Sequence, residues 1–311
     1  MAAIQLQPSL ASSAPRATSR RGVLTWTLRA IAIVLAIWIA ASFIGEQVSL
    51  HPERSAPRQT PDQWGMAYRD VSFRTVDGLT LRGWWIPGDA HATVVMIHGL
   101  GSNRDEPLGK SAYLHQAGYN LLVFDLRGHG LSDGEGTMGY REPADAAAAV
   151  AEAHRLDPGP IALFGYSLGA AIAVEEAAVN PDVSAVIEDS GFSSVGDVVL
   201  ARFNYITHLP DLPFAGAVVA STAIDLGTSP WNVQPAVMAA RIHKPLLAIV
   251  GGRDTMVPPA EGLAIYRAAA GPKQLLYVPG TGHVQAYYAA NRLYETTVLA
   301  FLASSLKNPT T

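Results

Sequence analysis

From about residue 67 onward, short apolar runs alternate with amphipathic stretches. Segments 93–97, 119–124, 161–164, 183–187, 246–250 and 274–278 are rich in Val, Ile and Leu without polar alternation. That pattern predicts strands buried on both faces of a mainly parallel sheet. Helical periodicity covers 142–156 and 168–178, and a closing helix falls within 283–306. Gly118 ends a helix near Leu114, and Asp157-Pro158-Gly159 ends the helix over 142–156. Strand-like runs at 68–76 and 79–86 flank Asp77-Gly78, a dipeptide suited to a tight hairpin, so the sheet is expected to begin antiparallel. Strands alternating with helices predict an α/β domain whose sheet is covered by helices.

The first 66 residues follow a different pattern. Residues 1–22 are rich in Ala, Ser, Pro and Arg, have no apolar period, and read as disordered. Residues 23–44 are nearly all apolar, interrupted by Arg29. A bilayer crossing needs roughly 20 residues, which this stretch supplies if the Arg29 side chain reaches back to the headgroups. Residues 45–66 carry Pro52, Pro57 and Pro61 among polar residues and read as a linker.

Two readings of 23–44 stand side by side. One is an uncleaved anchor helix. The other is a secretory signal, which Ser19-Arg20-Arg21-Gly22-Val23-Leu24 supports by its likeness to a twin-arginine export motif. No clean Ala-x-Ala site closes the apolar run, which favours the anchor. Arg16, Arg20 and Arg21 precede the segment, and Glu46 and Glu53 dilute the basic residues after it. This bias puts the N-terminus in the cytoplasm and the C-terminal domain outside; the alternative is export after signal cleavage.

The chain has 311 residues, enough for one large core plus a non-globular extension. A formal net charge of -4 gives no sign of a polyanion-binding surface and argues against a nucleic-acid partner. The absence of cysteine excludes disulfides, thiolate metal sites and a cysteine nucleophile.

Gly165-Tyr166-Ser167-Leu168-Gly169 lies between an expected strand and an expected helix. A serine on such a turn projects its hydroxyl above the sheet, and the flanking glycines relieve the close approach of strand and helix. Ser167 is therefore the candidate nucleophile. His283, in the loop after the last strand, is the candidate base. Asp254, in Gly251-Gly252-Arg253-Asp254, is the preferred acid to orient it, with Asp189 as rival. The order Ser, Asp, His matches one known arrangement of such triads. The backbone N–H groups of Leu100, in His98-Gly99-Leu100-Gly101, and of Leu168 are the candidate oxyanion donors. His98 reads as structural, bonded to nearby backbone. Asp125-Leu126-Arg127-Gly128-His129-Gly130 reads as a hydrogen-bonded scaffold loop.

Together these motifs resemble the α/β-hydrolase superfamily over roughly residues 67–306. Within it they look like the serine aminopeptidase S33 type and are similar to the BEM46-like hydrolases. The resemblance implies an eight-stranded, mostly parallel sheet with an antiparallel second strand. It also implies acyl transfer through an acyl-enzyme, with no cofactor or metal.

Residues 190–241 read as a small helical cap carrying Phe192, Phe203, Tyr205, Leu209, Leu212 and Phe214, broken by Pro210 and Pro213; an ordinary packed insertion is the alternative. Residues 307–311 form a tail. The expected activity is hydrolysis of a small, apolar carboxylic ester. Peptide or amide cleavage and thioester cleavage remain alternatives, and a non-catalytic binding protein would lack a triad member.

Overall fold

The computed structural model describes residues 20–50 and 52–306. The expected disorder over most of 1–22 and the tail 307–311 lie outside the described residues.

Helix α1 (Arg20–Leu50) contains the 24-residue apolar stretch Gly22–Gly45, long and apolar enough to cross a membrane. It continues past the expected end at residue 44 because nothing stops it before Pro52, whose ring is incompatible with a continuing helix. The stretch expected as a linker is thus helical at its start. Its remainder is tied to the domain. The Arg54 guanidinium donates to the Ser132 carbonyl at 3.1 Å, the Arg58 amide to Asp105 at 2.7 Å, and the Asn103 amide group to the Ser55 carbonyl at 3.0 Å. Pro61–Trp64 forms a 3-10 turn, after which Met66 is buried.

Eight strands follow: β1 (Arg69–Arg74), β2 (Thr80–Ile86), β3 (Thr93–Ile97), β4 (Asn120–Phe124), β5 (Ile161–Tyr166), β6 (Val183–Asp189), β7 (Leu246–Gly251) and β8 (Lys273–Val278). They form one sheet in the order β1-β2-β4-β3-β5-β6-β7-β8. β2 runs antiparallel to both its neighbours, and every later pairing is parallel. The turn after β1 uses Gly78 at φ 89°, a conformation glycine adopts without strain.

Along β5, Ile161 and Leu163 enter one apolar core while Ala162, Phe164 and Tyr166 enter the other. The period of two is present, but both faces are covered, which is why the sequence shows no polar alternation. Helices α2 (Pro143–Leu156) and α3 (Leu168–Val179) carry much of the first covering layer. Between β6 and β7 lies an insertion containing α4 (Val195–Thr207) and α5 (Gly216–Leu226). Pro210 separates α4 from the short turn Asp211–Phe214, where Leu212, before a proline, is extended (φ -100°, ψ 131°). α6 (Pro259–Ala268) follows β7, and α7 (Asn291–Ser305) closes the chain against the second core.

Candidate active site

Parallel strands deliver the loops at their C-terminal ends to one edge of the sheet. Ser167 follows β5, Asp254 follows β7 and His283 follows β8. The three side chains meet there. His283 Nε2 lies 2.8 Å from Ser167 Oγ, and His283 Nδ1 lies 2.6 Å from Asp254 Oδ2. A carboxylate only accepts, so Nδ1 carries the proton and Nε2 is free to accept from the serine hydroxyl.

Ser167 has φ 53° and ψ -114°, a sparsely populated backbone state for a residue with a side chain. Its surroundings hold it there. The Ser167 N–H donates to the Asp189 carbonyl at the end of β6 at 2.8 Å. A β-carbon on Gly165 would fall on the Gly169 carbonyl, and one on Gly169 would fall on the Ile97 carbonyl at the end of β3. Strand and helix backbones therefore approach closer than any other residue permits, and this aims the hydroxyl out of the sheet.

Asp254 is buried and its two oxygens are divided. Oδ1 accepts from the amides of Met256 and Val257, each at 2.9 Å, which leaves Oδ2 for the imidazole. The rival Asp189 is fully buried. Its carboxyl accepts from the Tyr294 hydroxyl at 2.8 Å and the Ser190 hydroxyl at 3.0 Å, and burial raises its pKa above the usual carboxylate range. It makes no hydrogen bond to His283. Ser190 Oγ in turn accepts the Val284 amide at 3.2 Å, which ties the loop carrying His283 to the end of β6.

Leu100 and Leu168 flank the serine. Among the described residues, neither backbone N–H donates to another protein group. Leu168 opens α3, where first-turn amides have no helical partner. The loop carrying Leu100 is braced from both sides. The Gly99 amide donates to Glu106 Oε2 at 2.8 Å, and the Gly101 amide donates to His129 Nε2 at 3.2 Å. His98 is completely buried, donates from Nδ1 to the Gly99 carbonyl at 2.7 Å and accepts the Leu126 amide at Nε2 at 3.0 Å. Burial, with His129 beside it, pushes its pKa down to about 3, so it stays neutral.

The scaffold loop 125–130 is built the same way. Asp125 accepts the amides of Arg104 and Leu131, both at 2.9 Å, and the Arg127 guanidinium pairs with Asp145 and Asp77. Glu106 and His129 have no distinguishing signal in the sequence as supports of the loop carrying Leu100. Each becomes significant only by facing a single backbone amide.

A cavity of about 510 Å³ opens over the serine. Ser167, Leu168, Leu100 and His283 line its floor, and Phe192, Val198, Val199 and Arg202 of the insertion line its wall with Met138, Met256 and Val257. Pro52, just beyond α1, also borders it. Among the described residues, no group of His, Asp and Glu has the arrangement of a metal site.

Comparison with known proteins bears on the fold. Residues 92–206 match the family model of the alpha/beta hydrolase fold. An uncharacterized protein of Mycobacterium tuberculosis, Rv2307c, is 30% identical over 285 residues, spanning 89% of this chain and 92% of that protein. The alpha/beta hydrolase domain-containing protein WAV2 of Arabidopsis thaliana is 28% identical, over 78% of this chain and 81% of its own. The structure of the Pyrococcus furiosus esterase Pf2001 is similar at a TM-score of 0.71 and 26% identity, covering 83% of this chain and 99% of that one. The chain belongs to the α/β-hydrolase family. Its eight-stranded sheet is the one the sequence resemblance implied, and an esterase is among its structural neighbours.

Proposed function

We propose that this protein is a serine hydrolase that cleaves carboxylic esters through an acyl-enzyme on Ser167. The carrying observation is the unbroken hydrogen-bonded chain from Asp254 through His283 to Ser167, at 2.6 and 2.8 Å, beneath an apolar cavity.

In this reading Ser167 Oγ attacks the ester carbonyl while His283 Nε2 takes its proton. The carbonyl oxygen becomes an oxyanion and receives the N–H groups of Leu100 and Leu168. One such donor stabilises the transition state by about 2.7–4 kcal/mol. Asp254 stabilises the imidazolium and does not itself take the proton. The intermediate collapses, the ester C–O bond breaks, and the departing alcohol receives the proton from His283. Water then repeats the cycle: His283 takes its proton, the hydroxide adds to the acyl carbonyl, and Ser167 leaves with the proton returned. The insertion serves as a cap whose Phe192, Val198 and Val199 suit an apolar acyl or alcohol group.

We read α1 as a membrane anchor with the hydrolase domain on the non-cytoplasmic side. Its support is the 24-residue apolar stretch with basic residues before it.

A fluorophosphonate probe tests nucleophile and activation together. The expected adduct maps to Ser167, is lost in Ser167→Ala, and accompanies turnover of p-nitrophenyl acetate. Ser167→Ala is expected to lower that turnover by about a million-fold while leaving the folded state intact. Faster cleavage of an aminoacyl anilide than of the acetate would favour the peptidase reading instead. An active Ser167→Ala enzyme would refute the assignment.

A further inference from the structure

We infer that the enzyme takes its substrate sideways from the bilayer: the acyl chain of a membrane ester enters a slot between α1 and the insertion and reaches Ser167 along one face of α4. This rests on the serine-hydrolase and anchor readings above.

A second cavity, of about 340 Å³, lies where the apolar helix meets the insertion. α1 contributes Trp38, Ala41, Ser42 and Gly45 to its wall, and α4 contributes Phe203 and Ile206. Val199 and Arg202 line both this slot and the cavity over Ser167. Positions 199, 202, 203 and 206 recur at the spacing of one helical stripe, so a single face of α4 runs from the serine to the anchor. The chain makes a second link, since Pro52, just after α1, borders the Ser167 cavity.

The level of the slot follows from the helix itself. Roughly 20 residues cross the hydrocarbon, and counted from Gly22 they end near Ala41. Trp38 then falls at the boundary zone, where tryptophan is favoured. It is fixed there by the insertion. Its indole N–H donates to the Phe214 carbonyl at 3.2 Å, and its ring meets Phe203 and Phe214 edge-on at 6.3 and 6.0 Å. α5 runs beside α1 in the same direction, from Phe214 near Trp38 to Asp225, which accepts from Gln47 at 3.3 Å.

The polar end of this pair therefore lies on the water side and the apolar end at the bilayer. Leu212 and Ile206 of the insertion are 85% and 61% exposed, an apolar surface at the Trp38 end suited to lipid rather than water. Ester carbonyls of glycerolipids sit in the same boundary zone, level with the slot. Arg202 has no ion pair or hydrogen bond from its guanidinium among the described residues, and its stem lines the passage. Such a side chain lays its methylenes along an acyl chain and turns its head toward a lipid phosphate.

Gly45→Phe tests the path from outside the Ser167 cavity. Nothing lies within 4 Å of a β-carbon at this position, and Gly45 lines the slot, so a larger side chain there starts into it. The full-length enzyme is reconstituted in phosphatidylcholine vesicles and given umbelliferyl oleate dissolved in the bilayer or p-nitrophenyl acetate from water. The variant is expected to lose about tenfold or more of oleate turnover and to keep acetate turnover. Unchanged oleate turnover, with Ser167 still labelled by fluorophosphonate, overturns lateral entry and leaves the hydrolase reading standing. Absence of that label in the wild-type enzyme overturns the hydrolase reading itself. If Gly45→Phe does not fold, the wild-type enzyme still decides the matter. Phosphatidylcholine with a photoreactive acyl chain is expected to label Val199 and Arg202, which line both cavities, and labelling confined to α1 and the lipid-facing Ile206 and Leu212 overturns the path.

Discussion

The candidate site depends on how few degrees of freedom its side chains retain. Asp254 spends one oxygen on two backbone amides at 2.9 Å, so the other is aimed at His283 without rotamer search. Asparagine can keep the Oδ1 contacts through its own carbonyl oxygen but presents an N–H where the imidazole N–H points. The imidazole is then held in the wrong tautomer. Asp254→Asn is expected to lower kcat for p-nitrophenyl acetate by about ten-thousand-fold while its urea unfolding midpoint stays close to wild type. A kcat within tenfold of wild type would count against Asp254 as the orienting acid. His98 and Asp189 show the opposite lesson. Both are conspicuous polar residues near the serine, and both are held by structural partners: backbone for His98, and the Tyr294 and Ser190 hydroxyls for Asp189.

At the scale of elements, the junction of β3, β5 and α3 sets the position of the serine. The Gly165 and Gly169 contacts couple all three, because each missing side chain is replaced by a neighbouring carbonyl. Gly169→Ala places a methyl group against the Ile97 carbonyl and must push α3 off the sheet. The expected cost is about 3 kcal/mol or more, read from chemical denaturation, with loss of fluorophosphonate labelling even in the fraction that folds. Retained stability and labelling would show that the junction is looser than these contacts require. The hairpin, the parallel strands and the turn at Ser167 were legible because each has a local cause: Asp77-Gly78, unbroken Val and Ile runs, and paired glycines. Element ends shifted by a residue or two, as with β6, which runs on to Asp189 because that residue still pairs with Ile249. The expected linker was misread for a different reason. Prolines and polar residues mark the absence of a regular element, yet Arg54, Ser55 and Arg58 find partners on the domain that no local pattern reveals.

At the scale of the whole molecule, α1 and the hydrolase domain are joined by specific contacts as well as by the chain. Trp38 and Gln47 each bond to the insertion, so under the proposed anchor reading these bonds set how the mouth of the site faces the membrane. The absence of native cysteine makes the topology directly readable. A membrane-impermeant maleimide applied to intact cells is expected to label Val76→Cys, at a site 95% exposed in the native turn, and to leave Ser12→Cys unlabelled until the cells are opened. Labelling of Ser12→Cys alone would invert the proposed orientation. A mature N-terminus beyond residue 44 would replace the anchor with a cleaved signal.

By itself the amino-acid sequence determined the order of strands and helices, the glycine-bounded turn at Ser167 and the apolar helix ahead of the domain. These are set by interactions between near neighbours: steric limits, turn preferences and the periodicity of burial. Only the tertiary structure decided which acid meets His283, which amides around the serine stay unpaired, and that the apolar helix packs on the insertion. Those outcomes depend on distances between segments remote in the chain, and such distances are fixed only when the whole core packs.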